Sequence, residues 1–131
     1  MILLDSNILI YASKADDPNN PAVIATQYDS VALSEISRLE VLGYHGLKGN
    51  EKSDLEQMIQ RMRVLPINSL LIDSAIALRQ QKSISLGNAI IAATAIEHGI
   101  SIVTRNTADF QWIDGLKVVN PFDTPPYEHL I

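Results

Sequence analysis

The sequence of 131 residues contains no cysteine, which excludes a disulfide framework, a cysteine-ligated zinc site and a cysteine nucleophile. It also lacks any run of roughly 20 apolar residues, the length that a membrane-spanning helix needs. The first residues have neither the basic start nor the apolar stretch of a signal peptide. We therefore expect a soluble, cytoplasmic protein that has no membrane partner.

A broad basic surface is missing as well, because the formal net charge is −5. Proteins that bind nucleic acid through such a surface carry clustered Lys and Arg. Carboxylates that gather in one place would instead need cations before a phosphate could approach them. The charge is equally compatible with an acidic surface that has no functional meaning.

The composition is that of a single domain over residues 1–131, since 47% of the residues are hydrophobic and 19% are charged. The first strand is predicted to end at or near Asp5, and residues 8–11 belong to the same β-prone segment. Further strands are predicted over residues 31–33, 64–67, 100–104 and 116–119. Helices are predicted over about 22–29, 34–47, 53–62, 70–81 and 88–97. Residues 121–131 contain three prolines and are predicted to form an extended tail.

Strands that alternate with helices imply an α/β fold with a mostly parallel sheet that is covered on both faces. Ser34 is suited to cap the helix that carries Glu40 on the flank of a buried stripe. The residues of that predicted stripe are Ile36, Leu39, Gly43 and Leu47. Ser53 and Glu56 fit a capping box that opens the next helix.

Polar residues from distant parts of the chain are predicted to meet at one edge of the sheet. Asp5 and Asp109 both follow strand-like runs, so both fall at the carboxyl ends of strands, where open parallel sheets bind ligands. Glu40 flanks its helix stripe, and Asn88 lies in the first turn of a helix whose backbone N–H groups face the same edge. These four side chains are the candidate catalytic and metal-binding residues.

Three carboxylates in one cleft repel each other, and a divalent cation is the main way to neutralise them. Oxygen ligands favour Mg²⁺ or Mn²⁺. Such ions polarise phosphoryl oxygens and activate water, so a chain without Cys and without an evident Ser–His pair could hydrolyse a phosphodiester.

Each acid also has a structural alternative. Asp5 can belong to a turn that closes the first strand, and Asp109 can start a short helix. Glu40 can pair with Arg38 or Lys48 at the surface. The other polar residues considered receive no catalytic role: Asp16 and Asp17 as turn residues, His45, His98 and His129 as ordinary histidines, and Arg105 as either a phosphate contact or a salt-bridge partner.

Four segments resemble the PIN domain in their order and spacing. They are residues 4–11 (LDSNILIY), 34–44 (SEISRLEVLGY), 89–95 (AIIAATA) and 103–110 (VTRNTADF). The likeness runs from residue 1 to about Phe122. Within the PIN family, the chain resembles the VapC toxins of toxin–antitoxin pairs. It implies a three-layer α/β/α sandwich and an endoribonuclease that needs Mg²⁺ or Mn²⁺. It also implies an RNA substrate, homodimers and a cognate antitoxin, for which a basic residue entering the acidic cleft would make electrostatic sense.

The resemblance also assigns roles to individual positions. Asp5 matches the first acid of the family and Glu40 the second. Family members carry a further acid at the position of either Asn106 or Asp109, so Asp109 is its counterpart here. The supporting positions beside these acids are Ser6, Asn7, Thr104 and Asn106.

Asn88 departs from the family pattern, which has an aspartate immediately before the AIIAATA run. An amide keeps one oxygen ligand but loses the negative charge, so metal binding and water activation should weaken. A catalytically silent PIN domain that binds RNA or protein is therefore the alternative function.

A phosphatase that uses Asp5 as nucleophile is disfavoured because Asn7 stands where its second acid would be. A dinucleotide-binding domain would need a Gly-x-Gly-x-x-Gly after the first strand.

Overall fold

The structure, a computed structural model, describes residues 1–123. Five strands and six α-helices alternate along this part of the chain. The strands are β1 (Ile2–Leu4), β2 (Val31–Ser34), β3 (Arg63–Leu65), β4 (Ser101–Val103) and β5 (Val118–Val119). The helices are α1 (Ser6–Lys14), α2 (Pro21–Thr26), α3 (Glu35–Leu42), α4 (Glu51–Gln60), α5 (Ser69–Gln81) and α6 (Leu86–His98). A 3₁₀ turn covers Thr107–Asp109.

The strands form one parallel sheet in the order β3-β2-β1-β4-β5. The first strand of the chain thus lies at the centre, where Leu4 pairs with Leu33 on one side and with Val103 on the other. All five strands point the same way, so their carboxyl ends form one edge of the sheet. The predicted α/β fold with a parallel sheet is confirmed.

Two hydrophobic cores lie on opposite faces of this sheet. Side chains of α1, α2 and α4 pack on one face with Ile2 and Leu4 of β1. Side chains of α5 and α6 pack on the other face with Leu3 of the same strand. Alternate residues of a strand point to opposite faces, so a three-residue strand serves both cores. The three-layer sandwich is therefore confirmed, and α3 bridges its layers because Val41 joins the first core and Ile36 the second.

Residues 8–11 were predicted to be β-prone, and this prediction is wrong because they belong to α1. The chain leaves β1 at Asp5, which adopts the extended conformation of a helix N-cap. Ile8, Leu9 and Ala12 then bury one helical stripe against the sheet. Burial of that stripe outweighs the modest preference of isoleucine for strands.

The stripe predicted for the helix that follows Ser34 is also wrong. The side chain of Leu39 is 69% exposed, and α3 ends at Leu42, well before Leu47. The buried residues of this helix are Ser37 and Val41. A polar residue can occupy the inner face because the Ser37 hydroxyl has a buried hydrogen-bond partner.

The capping box predicted at Ser53 and Glu56 is not formed, since α4 begins two residues earlier, at Glu51. The Glu51 carboxylate accepts a hydrogen bond from the backbone N–H of Lys48 at 3.0 Å, which ties the helix start to the preceding turn. Acidic side chains in a first helical turn also interact favourably with the helix dipole. Ser53 therefore lies inside the helix.

The predicted extended tail over residues 121–131 is only partly described. Residues 121–123 form a turn, with Phe122 packed against the first core. The remainder of the predicted tail, residues 124–131, lies outside the described residues. Within residues 1–123, no helix is long and apolar enough to cross a membrane.

Replacing Asn68 by Ala should lower the free energy of unfolding by about 1 kcal/mol, because its side chain caps α5 by accepting the N–H of Leu71 at 2.9 Å. Ser53→Ala should cause no loss, since Ser53 caps no helix. Chemical denaturation of both variants measures the difference. An equal loss of unfolding free energy in Ser53→Ala would show that Ser53 does cap a helix, contrary to the structure.

Candidate active site

Asp5 lies at the centre of the carboxyl edge of the sheet, directly after β1. Its backbone N–H donates to the carbonyl of Val103 at 2.9 Å, which continues the pairing of β1 with β4. Its carboxylate Oδ2 accepts a hydrogen bond from Thr104 Oγ1 at 2.7 Å. Only 6% of the residue is exposed. The structure thus holds one buried carboxylate between the ends of the two central strands.

The orientation of the Asn7 amide follows from the hydrogen bonds of Thr104. The single hydroxyl hydrogen of Thr104 is donated to Asp5, so its oxygen can only accept from other neighbours. It accepts the backbone N–H of Asn106 at 3.0 Å and the Asn7 Nδ2 group at 3.4 Å. Asn7 must therefore present its NH₂ to Thr104, which leaves the buried Oδ1 atom without a hydrogen-bond partner.

Glu40 on α3 is held from two directions. Ser6 Oγ donates to Glu40 Oε1 at 2.8 Å and lies 2.9 Å from the buried hydroxyl of Ser37. The other carboxylate oxygen approaches Gly87 in the first turn of α6, where a Cβ atom would overlap it. Arg38 pairs with Glu35, so the surface pair of Glu40 with Arg38 is not formed.

Asn88 and Asp109 contact each other. Asn88 Nδ2 donates to Asp109 Oδ2 at 3.3 Å, and the backbone N–H of Asn88 is capped by Ser85 Oγ at 3.1 Å. Asp109 ends the 3₁₀ turn, and its carbonyl accepts the indole N–H of Trp112 at 2.9 Å. Asn106 starts that turn but makes no side-chain cap.

The electrostatics of the edge are dominated by negative charge. Burial raises the pKa of the Asp5 carboxyl, and the hydrogen bonds from Thr104 and from the backbone of Ser6 lower it in part. The negative charges of Glu40 and Asp109 raise the same pKa further. Both other acids predicted for the site therefore act on the Asp5 carboxyl.

The contacts join the predicted residues in three groups: Asp5 with Thr104, Asn7 and Asn106; Ser6 with Glu40; and Asn88 with Asp109. Among residues 1–123, no three His, Asp or Glu side chains lie close enough together to hold a metal ion as they stand. Of the other residues considered, His45 and His98 are exposed, and His129 lies outside the described residues. Asp17 accepts the N–H of Asn19 at 2.9 Å, as expected for a turn residue.

Two residues that contact the site were not singled out from the sequence. Ser37 was overlooked because a serine inside a helix usually faces water. Gly87 carries a signal that could have been used, since a glycine in the first turn of a helix lowers helix stability unless close packing needs it. Here the close packing is the approach of the Glu40 carboxylate.

Comparison with known proteins shows which family the chain belongs to. A family model described as the PIN domain matches residues 2–116. The chain belongs to the PIN domain family. This PIN domain is 28% identical over 131 residues to ribonuclease VapC10 of Mycobacterium tuberculosis, covering 95% of this chain and 96% of that protein.

Solved structures resemble the PIN domain over almost its whole length. A chain of a toxin–antitoxin complex from Klebsiella pneumoniae is 31% identical and has a TM-score of 0.75, covering 92% of this chain and 98% of that one. A chain of FitAcB from Neisseria gonorrhoeae is 29% identical with a TM-score of 0.74, covering 95% and 100%.

PIN nucleases generally use divalent metal ions, and the residues at this edge have the chemistry to bind one. Carboxylate and amide oxygens are the ligands that Mg²⁺ and Mn²⁺ prefer. The unpartnered Asn7 Oδ1 atom adds a buried oxygen that lacks a hydrogen-bond donor. Glu40 and Asp109 are exposed enough for their side chains to turn toward Asp5.

The raised pKa of Asp5 gives a pH dependence in the absence of divalent cations. The folded state holds this proton more tightly than the unfolded chain, whose carboxyl titrates near 3.8. Its contribution to stability is therefore fully present below that value and is lost as the pH rises through the folded pKa. The neutral variant Asp5→Asn should therefore gain stability relative to the parent as the pH rises above about 4.

Chemical denaturation across this range in EDTA measures the gain, and Asp73→Asn on the exposed side of α5 controls for the loss of one negative charge. A difference between parent and Asp5→Asn that stays constant with pH would contradict the raised pKa.

Proposed function

We propose that this PIN domain is a metal-dependent endoribonuclease of the VapC type. The observation that carries the proposal is the buried Asp5 carboxylate at the sheet edge, with Glu40 and Asp109 close enough to raise its pKa. The resemblance to ribonuclease VapC10 supports RNA as the substrate class. A bound divalent cation would neutralise the mutual repulsion of these acids and make the buried charge of Asp5 favourable.

In this proposal Asp5, Glu40 and Asp109 would hold Mg²⁺ or Mn²⁺, and Asn88 would add a neutral oxygen. When bound, such an ion would supply the charge that polarises a phosphate and favours ionisation of a water molecule. The hydrogen bond that Thr104 donates to the Asp5 carboxylate favours its ionised form and so opposes the effect of burial on its pKa, and a hydrogen bond from Ser6 orients Glu40. Supporting hydrogen bonds of this kind fix the direction of metal-binding carboxylates.

Asn88 should attenuate this activity. Its NH₂ group donates to Asp109, so the pair is stable without a cation, whereas an aspartate at position 88 would repel Asp109 unless a cation lay between them. The same observation favours a second candidate function, a catalytically silent PIN domain that binds RNA or protein.

The partners follow from the same resemblance. The Klebsiella structure is a toxin–antitoxin complex, which supports a cognate antitoxin as partner. Such a partner would cover the acidic edge, where a basic residue of the antitoxin would make electrostatic sense. A homodimer is implied by the likeness to the VapC toxins, and Leu39, Leu70 and Leu86 are large apolar side chains that remain exposed in the single chain. An RNA substrate would also suit the cytoplasmic location expected from the sequence.

The test is cleavage of a mixed RNA pool with Mg²⁺ or Mn²⁺ by the parent and by Asn88→Asp, each repeated with EDTA. Asn88→Asp should cut about 10 to 100 times faster, because it restores a charged ligand. Asp5→Asn should abolish cutting. Asn19→Asp adds the same charge in the exposed loop after α1 and should change nothing.

Cutting that persists in Asp5→Asn would refute the proposed site. If folded parent and Asn88→Asp, free of antitoxin, both fail to cut, the silent binding domain becomes the better account of the molecule.

Gly87→Ala should separate activity from stability. The added methyl displaces only the carboxylate end of Glu40, so the free energy of unfolding should change by no more than about 1 kcal/mol, since the helix preference of Ala over Gly offsets the loss of the Ser6–Glu40 hydrogen bond. The affinity for Mn²⁺, measured by titration, should fall because Glu40 is moved. In a Glu40→Gln background the same change should have no further effect on Mn²⁺ affinity. A full additional loss there would show that Gly87 does not act through Glu40.

A further inference from the structure

The cation–aromatic contacts in the described part of this acidic chain all lie beside the candidate active site. Arg105 and Lys82 supply the cations, from different segments of the chain. Both side chains are exposed, and neither has a carboxylate within salt-bridge distance among residues 1–123. The alternative of a structural salt bridge, considered for Arg105 from the sequence, is therefore not formed within this range.

Arg105 directly follows Thr104, the residue that holds Asp5. Its guanidinium carbon lies 4.1 Å from the ring centre of Phe122 and 4.7 Å from that of Tyr11. The two rings contact each other edge to face, with their centres 6.0 Å apart. Stacking on aromatic rings restricts a guanidinium while its in-plane N–H groups stay available for a phosphate.

Lys82 lies in the connection between α5 and α6, on the other side of the acids. Its ammonium nitrogen is 5.6 Å from the centre of the Trp112 ring. Trp112 donates its indole N–H to the carbonyl of Asp109, so this pair is fixed to the site directly. Lys82, Trp112, Asn88 and Asp109 line one cavity of about 330 Å³.

The two cations flank the acids from opposite faces of the sheet. Tyr11 belongs to α1, and Phe122 packs against the core on the α1 face. Trp112 packs against the core on the α5 and α6 face. Asp5 lies between the two faces, at the end of the central strand.

We propose that Lys82 and Arg105 mark the path of a single RNA strand, which crosses the edge of the sheet with a phosphate bound by each cation. This inference rests on the proposed function and adds the residues that bind the substrate on each side of the cleaved bond. Single-stranded nucleic acids are held by cations together with aromatic rings that stack on bases, and Tyr11 and Trp112 are both partly exposed. Two local cations also explain how a chain with a net charge of −5 can hold RNA without a basic surface.

The test measures binding of a fluorescein-labelled, mixed-sequence RNA of about ten nucleotides in Mg²⁺, with Asp5→Asn as the parent so that the strand stays intact. Lys82→Ala and Arg105→Ala should each weaken binding about tenfold, through loss of a charge-assisted contact. Each should also reduce the slope of log affinity against log salt by about 0.7. The double variant should show the product of the two losses.

Arg61→Ala is the matched control, because it removes one exposed positive charge just before β3, at the opposite edge of the sheet. Its binding should stay within about twofold of the parent. Lys82→Gln and Arg105→Gln repeat the measurement if an alanine variant fails to fold. Tyr11→Leu should weaken binding less than Arg105→Ala, since it removes only one of the two rings that support the guanidinium.

Binding by the Lys82 and Arg105 variants that equals binding by Arg61→Ala would overturn the inference. If Lys82→Ala and Arg105→Ala, made in the chain that keeps Asp5, nevertheless cut RNA with an unchanged KM, the proposed function survives and only this inference is wrong. If neither the parent nor the native chain binds or cuts RNA, the inference falls together with the proposed function.

Discussion

The hydrogen bond from Thr104 to Asp5 joins the ends of the two central strands and fixes a buried carboxylate at the edge of the sheet. Three further residues are arranged around that carboxylate. The Thr104 hydroxyl accepts hydrogen bonds from the Asn7 amide and from the backbone of Asn106, so one threonine sets the positions of an acid, an amide and a turn. A buried carboxylate beside two further acids is unfavourable in the free protein, and in the proposed function a bound cation would relieve their repulsion.

The start of α6 is the second element on which the arrangement depends. Gly87 admits the Glu40 carboxylate, and the next residue, Asn88, reaches Asp109. Helix α3, helix α6 and the turn after β4 are therefore connected through polar contacts as well as through the second apolar core.

Much of the fold could be predicted from the sequence, because the alternation of apolar runs and helical patterns fixes which segments are strands. The parallel sheet and the residues at its carboxyl edge follow from that alternation. What failed depended on tertiary packing: residues 8–11 are helical because they bury a stripe, and Leu39 is exposed because Ser37 faces inward. A glycine in the first turn of a helix indicates close packing at Gly87, but the group that packs there could not be derived, since that side chain, Glu40, is 47 positions away in the sequence. The stacking of Arg105 on Tyr11 and Phe122 could not be predicted either, because these rings are distant from Arg105 in the sequence.

The order of the strands has a consequence for how the protein is made. The central strand comprises residues 2–4, yet one of its two partners comprises residues 101–103. Thr104 and Asp109 are likewise synthesised about a hundred residues after the central strand. A growing chain that has not reached these residues therefore cannot assemble the acidic edge, because contacts between residues 99 positions apart form late. If the chain is a nuclease, translation itself delays its activity until Asp109 has been synthesised and the second strand partner of β1 is in place.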